Sequence, residues 1–431
     1  MSKKINVAML GCGAVADLYL PAFKYIDRAE ILAVADIDQT SASEMAQKYN
    51  VQKVYDDVAA VASDGDIDAV ILGTPPNLHA SHAEMCASQG KHILCEKPMA
   101  ATVRDCQRII DACEQNGVHL QMGHMKRFMR GNQKVKAIID SGALGKIFMA
   151  ECHWDCAVPQ LIGTYREQTV TMGGSLQDHG PHAFDLIRWW IGQDIIEVSA
   201  SIRSVHPKRP TEDAAAVILE HENGVFSYYH MTRISYGREH AQDVYRIYGT
   251  EGTLVVRNDH HFPTMSLESP EIILYRPGDV IQRFETIHGF NVDEAMELNF
   301  PFYNQLMAFC ETIEENTSPR VTGEDGKHVI EAVIAAYLSS TANCKVRLPV
   351  EKDVDLTALF KEVKKRDKAL LTYDYEIHEP APQPPLFIRE GFVGYRPPRT
   401  KEIWSDEEHG LTDRVELVGL QRRLKKKDLE K

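Results

Sequence analysis

The 431-residue chain is notable first for what it lacks. No apolar run approaches the roughly 18–20 residues that a membrane-spanning helix needs, so we expect no membrane partner. There is no excess of basic residues either: the formal net charge is −14, which argues against a nucleic-acid partner. Repeats of solenoid period are also absent. These absences favour a soluble globular protein, and its length suits two domains.

The nine cysteines are scattered and odd in number, so they do not resemble a disulfide framework. Their pattern is typical of a reducing compartment, and we expect a cytoplasmic protein. Only Cys152, His153 and Cys156 are spaced like metal ligands, and no second pair follows at zinc-finger spacing. We therefore predict no metal. Met1 stands so close to the first strand-like run that we expect no signal peptide.

The amino-terminal stretch carries the first functional motif. The apolar run Ile5–Leu10 has the length of a buried strand, and Gly11-Cys12-Gly13-Ala14-Val15-Ala16 then matches G-x-G-x-x-G/A. In this motif the glycines allow a tight turn and close approach of a pyrophosphate, and Ala16 allows close helix packing. A helix beginning here would direct free N–H groups at the phosphate. The alternative is an ordinary turn between strand and helix.

Asp36 supports the first interpretation because it stands at the end of the second predicted strand, Ala29–Ala35. A carboxylate at that position accepts hydrogen bonds from a ribose 2′-hydroxyl and repels a 2′-phosphate. Residues 37–39 supply no arginine for such a phosphate. The pattern predicts NAD as the cofactor. The alternative for Asp36 is a helix N-cap.

Strand-like and helical runs alternate from residue 1 to about 123, which predicts a doubly wound parallel sheet of the Rossmann type. Ligands of such sheets bind beyond the carboxyl ends of the strands. Two strand ends are therefore informative: Thr74-Pro75 follows the strand at residues 69–73, and Glu96-Lys97-Pro98 ends the next one. Pro98 favours an extended backbone at Lys97, so we expect its ammonium group to project beyond the sheet.

From residue 124 to about 350 the pattern changes to strands joined by hairpin signals such as 222–224 and 249–252. We predict an α+β domain with a large, mostly antiparallel, open-faced sheet, closed by helices at 299–315 and 326–342. Residues 351–431 form a carboxyl-terminal extension. We expect this extension to be an ordered arm, not a flexible tail, because it contains the large apolar side chains Phe387, Phe392, Tyr395 and Trp404.

A second motif lies in Gly173-Gly174-Ser175-Leu176-Gln177-Asp178-His179-Gly180-Pro181-His182-Ala183-Phe184-Asp185. If a helix begins at the glycines, Asp178 and His182 are four residues apart and share one face. Asp185 lies on the same face and could hold the imidazole in one tautomer. Histidine can move the proton that alcohol dehydrogenation releases. The alternative is an Asp–His pair that only stabilises the start of a helix.

Together these motifs resemble the glucose-fructose oxidoreductase/inositol dehydrogenase/MocA family over about residues 5–350. The resemblance rests on the glycine turn, Asp36, Thr74-Pro75, Glu96-Lys97-Pro98, Arg127-Phe128 and the second motif. Members oxidise or reduce a secondary alcohol of a sugar, glycoside or cyclitol, often as dimers or tetramers packed through the open sheet face. Some relatives cleave glycosides by a redox step and a few are NAD-responsive regulators, and both remain alternatives here.

The resemblance implies the roles of individual residues. Lys97, Asp178 and His182 are the expected catalytic residues. Substrate contacts are expected from these three and from Arg127, Tyr165 and Arg166, where Tyr165 departs from the tryptophan common in relatives. Expected cofactor contacts are Gly11, Cys12, Gly13, Ala14, Val15, Asp36, Ile37, Thr74, Pro75, Asn77, His79, Glu96 and Lys97.

Overall fold

The computed structural model of the chain describes residues 3–156, 168–169, 174–206, 209–235, 241–260, 271–278, 280–284, 300–350, 354–368, 386–389 and 392–395. Within these residues, no helix is both long and apolar enough to cross a membrane.

The first sheet has six parallel strands in the order β3-β2-β1-β4-β5-β6, the doubly wound order expected for a dinucleotide-binding fold. Helices alternate with the strands because short apolar strands are followed by helical segments bounded by turn residues. The elements are β1 Ile5–Leu10, α1 Ala16–Tyr19, β2 Ala29–Ala35, α2 Gln39–Tyr49, β3 Lys53–Tyr55, α3 Val58–Ser63, β4 Ala69–Leu72, α4 Pro76–Ala87, β5 His92–Glu96, α5 Val103–Gln115 and β6 Leu120–Gly123.

The second sheet has nine strands in the order β14-β13-β12-β11-β7-β10-β9-β8-β15 and is antiparallel except for the pair β7/β10. This confirms the prediction of a mostly antiparallel sheet. The elements that follow β6 in the chain are α6 Arg130–Asp140, β7 Ile147–Asp155, α7 Ser175–Ile191, β8 Ile195–Arg203, β9 Ala214–His221, β10 Phe226–Thr232, β11 Ala241–Gly249, β12 Thr253–His260, β13 Glu271–Arg276, β14 Val280–Phe284, α8 Pro301–Glu315, α9 Gly323–Ala342, β15 Val346–Arg347, α10 Leu356–Arg366, β16 Leu386–Arg389 and β17 Phe392–Tyr395. The last two strands form a separate two-stranded sheet.

The two sheets share a core. Apolar side chains of β1 and β4 belong to the same buried cluster as those of β7, β9, α7 and α9, so the second sheet packs its covered face toward the first. The opposite face of the first sheet is covered by α1, α2 and α8, whose Phe302, Leu306 and Phe309 are buried there. The sequence pattern had grouped α8 with the second region, whereas its buried side chains belong to the first. The domain limits at 123 and 350 stay a prediction.

Helix α10 lies in the predicted carboxyl-terminal extension and packs on the body of the protein. Leu356, Leu359, Phe360 and Val363 are buried, and the Phe360 ring meets Tyr337 edge-on at 5.1 Å between centroids. This agrees with an ordered start of the extension. Beyond it, β16 and β17 pair with each other. Trp404 and the basic end lie outside the described residues, so the prediction of an ordered arm remains open for them.

Candidate active site

The glycine-rich turn after β1 lies at the carboxyl edge of the first sheet. Gly11 has φ of +94°, and a Cβ there would come within 2.7 Å of the carbonyl oxygen of Gly73. Gly13 is exposed, and a Cβ built on it meets no atom within 4 Å. The backbone at Gly11 thus packs closely against that at Gly73, while the space next to Gly13 is open. This arrangement fits a pyrophosphate that approaches the backbone, as NAD requires.

The helix that the motif predicts after this turn is present but short. Helix α1 has only four residues, and a 3₁₀ helix Leu20–Tyr25 follows it. Pro21 lacks an N–H group, so an α-helix cannot continue through it without losing a hydrogen bond. Backbone N–H groups of the turn, and not a long helix dipole, are therefore what a phosphate would meet here.

Asp36 joins the ends of β1 and β2. Its Oδ2 accepts a hydrogen bond from the Cys12 N–H at 2.7 Å, and its Oδ1 accepts one from the Asp38 N–H at 2.9 Å. The carboxylate therefore braces the glycine turn, a role that the sequence did not suggest. It remains partly accessible, and Ile37 beside it is 92% exposed. Asp38, not Asp36, caps helix α2 by accepting from the Thr40 N–H. The N-cap alternative for Asp36 was therefore wrong.

Thr74 and His79 lie at the end of β4. Thr74 Oγ1 is 3.1 Å from His82 Nδ1, while the His79 ring lies between the carbonyl oxygens of Thr74 and Met99, at 2.7 and 3.1 Å. His79 is 1% exposed, and burial lowers its pKa to about 4. The neutral, buried ring therefore connects the loop after β4 to the loop after β5 through these two carbonyl oxygens. Cofactor contact by Thr74, Pro75 and the exposed Asn77 stays a prediction.

Glu96 is a buried carboxyl group at the end of β5. Its Oε1 accepts from the Tyr19 hydroxyl at 2.5 Å and its Oε2 from the Lys97 N–H at 3.0 Å. Gln305 of α8 donates to the same Tyr19 hydroxyl. Glu96 therefore ties α1 and α8 to the strand end that presents Lys97. Sequence analysis missed Tyr19 and Gln305, because no local pattern relates residues so far apart.

Lys97 and Asp178 meet although they come from different parts of the fold. The Lys97 Nζ lies 3.1 Å from Asp178 Oδ1 and 3.0 Å from the Asp178 carbonyl oxygen. Both side chains are largely buried. Arg233, which directly follows β10, donates to the other carboxylate oxygen, Oδ2. The structure thus brings together the predicted lysine and aspartate and adds an arginine that sequence analysis missed.

The helix that carries Asp178 begins at Ser175, after Gly174, as predicted. A buried carboxyl group, Glu212, accepts hydrogen bonds from the Leu176 N–H and from the Tyr337 hydroxyl. A Cβ on Gly174 would come within 2.0 Å of Glu212 Oε2, so only glycine leaves room for this group. Burial raises the pKa of Glu212 to about 7. Glu212 was also missed, since it stands alone among turn residues in the sequence.

His182 lies one helical turn after Asp178 and is partly accessible. Burial lowers its pKa well below the ordinary value, and the charges of Lys97 and Lys126 lower it further. The ring is therefore neutral near physiological pH. Its centroid is 5.8 Å from that of His179. A neutral imidazole has a ring nitrogen with a free lone pair, which a proton acceptor needs.

Asp185 does not hold His182, contrary to our expectation. Its two carboxylate oxygens accept hydrogen bonds from Arg127 at 2.6 and 2.9 Å, in a buried two-point pair. Arg127 also lies 3.3 Å from Asp325 of α9. The arginine thus links the loop after β6 to α7 and α9. Contact between Arg127 and a substrate stays a prediction, while Tyr165 and Arg166 lie outside the described residues.

A buried polar cluster supports the site from the second sheet. The His179 ring stacks on Trp154 with 3.7 Å between centroids, and its Nδ1 is 2.8 Å from the Tyr229 hydroxyl. Its Nε2 lies 3.5 Å from Asp243, which pairs with Lys126. Sequence analysis did not assign these roles. The cluster fixes one side of α7 and places the Lys126 charge near His182.

A doubly wound sheet, a glycine turn open to a pyrophosphate, and a lysine, aspartate and histidine at its carboxyl edge define a class: dinucleotide-dependent oxidoreductases. The chain belongs to the Gfo/Idh/MocA family of this class. Residues 5–124 match the model of the oxidoreductase family with an NAD-binding Rossmann fold, and residues 132–255 match the GFO/IDH/MocA C-terminal domain. The family confirms NAD as the cofactor.

Characterised relatives cover most of the chain. It is 26% identical to D-apiose dehydrogenase from Paraburkholderia graminis, over 80% of this chain and 90% of that protein. It is 25% identical to myo-inositol 2-dehydrogenase from Thermotoga maritima, over 80% and 98% of the two chains. Among solved structures, levoglucosan dehydrogenase in complex with NADH matches with a TM-score of 0.72 and 22% identity, over 80% and 100% of the chains. The last likeness supports the fold alone.

Proposed function

We propose that the protein transfers hydride between NAD and a secondary alcohol of a sugar, glycoside or cyclitol. The observation that carries this proposal is the approach of Lys97 Nζ to within 3.1 Å of Asp178 Oδ1 at the carboxyl edge of the NAD-binding fold, with His182 one helical turn away. The family membership supports it, and the two relatives named above act by name on a sugar and a cyclitol.

Three side chains share the chemical work. When bound, NAD would supply the acceptor for the hydride, and the hydroxyl proton must leave the oxygen at the same centre. His182 is neutral, because burial and nearby lysines lower its pKa, and its ring accepts that proton in this proposal. Lys97 donates a hydrogen bond to the same oxygen and stabilises its developing negative charge. Oxidation of the alcohol to a ketone would thus leave one proton on His182, and the nicotinamide would supply the place for the hydride.

Asp178 orients the substrate in this proposal. It lies within hydrogen-bonding distance of Lys97, so a hydroxyl that it binds is adjacent to the one that Lys97 contacts. Neighbouring hydroxyls on one ring have this spacing, which is why we favour polyols with vicinal hydroxyl groups. Holding two hydroxyls at once limits rotation of the ring and directs the reacting C–H at the cofactor.

The test is a screen of cyclitols, hexoses and glycosides with NAD⁺, followed by NADH absorbance. We expect reduction of NAD⁺ with at least one polyol, and its loss in Lys97→Ala. Release of an aglycone without net NADH would instead support the redox-assisted glycosidase. Binding of NAD without turnover of any compound would support a regulatory protein and contradict the proposal.

We also propose that two or four copies associate through the open face of the second sheet. Helices cover the other face, whereas Ile218, Phe226, Tyr275 and Ile281 are each at least 38% exposed on this one. Large apolar side chains on a broad sheet favour burial by a partner.

Light scattering should give a dimer or tetramer, and the double substitution Ile218→Glu with Phe226→Glu should reduce the protein to a monomer. Met85→Glu, on α4 and equally exposed, is the matched control, and a monomeric wild type would contradict this proposal.

The location of the protein remains part of the proposal. All nine cysteines are free thiols and eight of them are buried. Free thiols persist in reducing compartments, so we place the protein in the cytoplasm. Fractionation of the cells that make it, followed by immunoblotting, tests this placement.

A further inference from the structure

We infer that Arg233 is a positioning residue that holds Asp178 in place and so sets the charge balance around Lys97. Arg233 is 2% exposed, and its terminal nitrogen donates to Asp178 Oδ2. Lys97 donates to Oδ1 of the same carboxylate. One carboxylate thus lies between two cations, one from the second sheet and one from the first. This inference rests on the proposed function, because it concerns the same lysine.

The guanidinium group is itself held in a defined place. The Arg233 backbone N–H donates to the Asp213 carbonyl at 2.9 Å, which fixes the chain directly after β10. Its guanidinium carbon lies 5.8 Å from the centre of the Trp154 ring, a distance at which cation and ring attract each other. Trp154 in turn stacks on His179 of α7. Arg233 therefore connects β7, β10 and α7 around one carboxylate.

The electrostatic consequence concerns Lys97. A carboxylate that serves two cations stabilises each less than it would one alone, and the two positive charges repel each other across it. Arg233 therefore makes the Lys97 amine easier to deprotonate than a simple Lys97–Asp178 pair would. A more acidic ammonium group is a stronger hydrogen-bond donor to the substrate oxygen, which is the role proposed for Lys97. Donors on both of its oxygens also hold the Asp178 carboxylate in one orientation toward a substrate hydroxyl.

The first test examines Lys97 in the resting protein, without substrate or cofactor. The extent of Lys97 acetylation by acetic anhydride is measured by mass spectrometry as a function of pH. In Arg233→Met the midpoint of this curve should move to higher pH, so that labelling below the midpoint falls roughly three- to tenfold. Arg233→Lys retains the charge and should restore the wild-type midpoint. A change in accessibility alone would alter the plateau and leave the midpoint in place.

Arg188→Met is the matched control. Arg188 is on the same helix as Asp178 and is also partly buried, but it binds Asp194 and Asp325 on the far side. Its loss weakens α7 without removing a charge next to Lys97, so its labelling midpoint should match wild type. An unmoved midpoint in Arg233→Met, or an equal shift in Arg188→Met, would overturn the inference.

The second test uses a substrate found in the screen. Arg233→Met should lower kcat about 10–100-fold, the scale expected when a substitution shifts a catalytic group by up to about 1 Å. The Kd for NADH should stay at the wild-type value. Arg233→Lys should recover part of kcat, because it keeps the charge without the planar fork. If the labelling midpoint shifts but no polyol is oxidised, Arg233 positions Asp178 and the proposed function fails; wild-type kcat in Arg233→Met would overturn the positioning role instead.

Discussion

Lys97 donates hydrogen bonds to both the carboxylate and the carbonyl oxygen of Asp178, although 81 positions separate them in the chain. The first residue directly follows β5 of the parallel sheet, and the second lies in the first turn of α7 beside the other sheet. Their contact therefore joins the parallel sheet to the second sheet at the candidate active site. It also makes the relative placement of the two sheets a condition of activity.

The first prediction concerns the catalytic residues at this contact. Lys97→Ala and His182→Ala should each lower kcat by about 10²–10⁴, the usual effect of losing a general base or its partner. NADH should still bind, since neither residue holds the glycine turn. Asp178→Ala should lower kcat and also raise KM. Steady-state rates and NADH fluorescence titrations measure both effects.

Matched substitutions control for the loss of buried polar groups. Lys91 is a buried lysine that donates to the Asp64 and Ile67 carbonyls, and His221 is a buried histidine bonded to Ser227. Lys91→Ala and His221→Ala should reduce stability and leave kcat near wild type. Near-native kcat in both Lys97→Ala and His182→Ala would refute the mechanism and favour the regulatory alternative.

The second prediction concerns the choice of cofactor. Asp36 should discriminate against NADP by about 1.5–3 kcal/mol, the scale of a lost charge-assisted hydrogen bond. Because Asp36 also accepts the Cys12 and Asp38 N–H groups, Asp36→Ala should weaken NAD through the turn as well. Asp36→Asn keeps an acceptor and removes the charge, so it should relax the exclusion of NADP with a smaller loss of NAD binding. Equal affinity of the wild type for NAD and NADP would show that the assignment is wrong.

The residues that were predictable from sequence are those whose role follows from local pattern. The strand at 5–10, the strand at 29–35 and the helix that begins after Gly174 were predicted within a residue or two, because apolar periodicity and turn residues act over a few positions. Lys97 and Asp36 could be placed because parallel strands end at one edge. The short strand β3 and helix α3 were missed, since three polar-flanked residues leave no periodic signal.

The supporting residues could not be predicted in this way. Arg233 contacts Asp178 because β10 pairs with β7 in parallel register. Turn residues in the sequence predict antiparallel hairpins, so they could not predict this parallel pair. Tyr19 meets Glu96 and Gln305 through the return of α8 to the first sheet. Asp185 had the correct helical face for His182, but the stronger two-point pair with Arg127 takes its carboxylate. Tertiary contacts of this kind decide which polar group finds which partner.

The third prediction is the pH dependence of catalysis. A general base works in its deprotonated form, so the rate falls when pH drops below its pKa. Burial and nearby lysines hold the pKa of His182 well below 6.5. The acidic limb of kcat/KM for alcohol oxidation should therefore lie well below pH 6.5. A half-maximal rate at or above pH 6.5, with the protein folded by circular dichroism, would contradict His182 as the base.

The fourth prediction concerns the carboxyl-terminal extension. Phe360→Ala should lower the free energy of unfolding by about 3–5 kcal/mol, as for other buried aromatic residues. Met85→Ala, at an exposed position of α4 outside the proposed interface, is the control and should lower the free energy of unfolding far less. Chemical denaturation measures both. Hydrogen exchange then tests the arm itself: slow exchange across 380–410 is expected, and rapid exchange throughout would contradict an ordered arm.

The final prediction links the start of α7 to pH. Burial raises the pKa of Glu212 from an ordinary 4.5 to about 7, so between these values the folded protein binds a proton that the unfolded chain does not. Stability from this group is complete below pH 4.5 and is lost as pH rises through 7, at up to about 1.4 kcal/mol per pH unit. Glu212→Gln cannot titrate, yet its amide oxygen still accepts from Leu176 and Tyr337. The unfolding free energy of this variant, measured by denaturation from pH 5 to pH 8, should fall less steeply with pH than that of wild type. Parallel curves for the two proteins would contradict the assignment, because they would mean that Glu212 is ionised throughout and that its charge is stabilised by other groups.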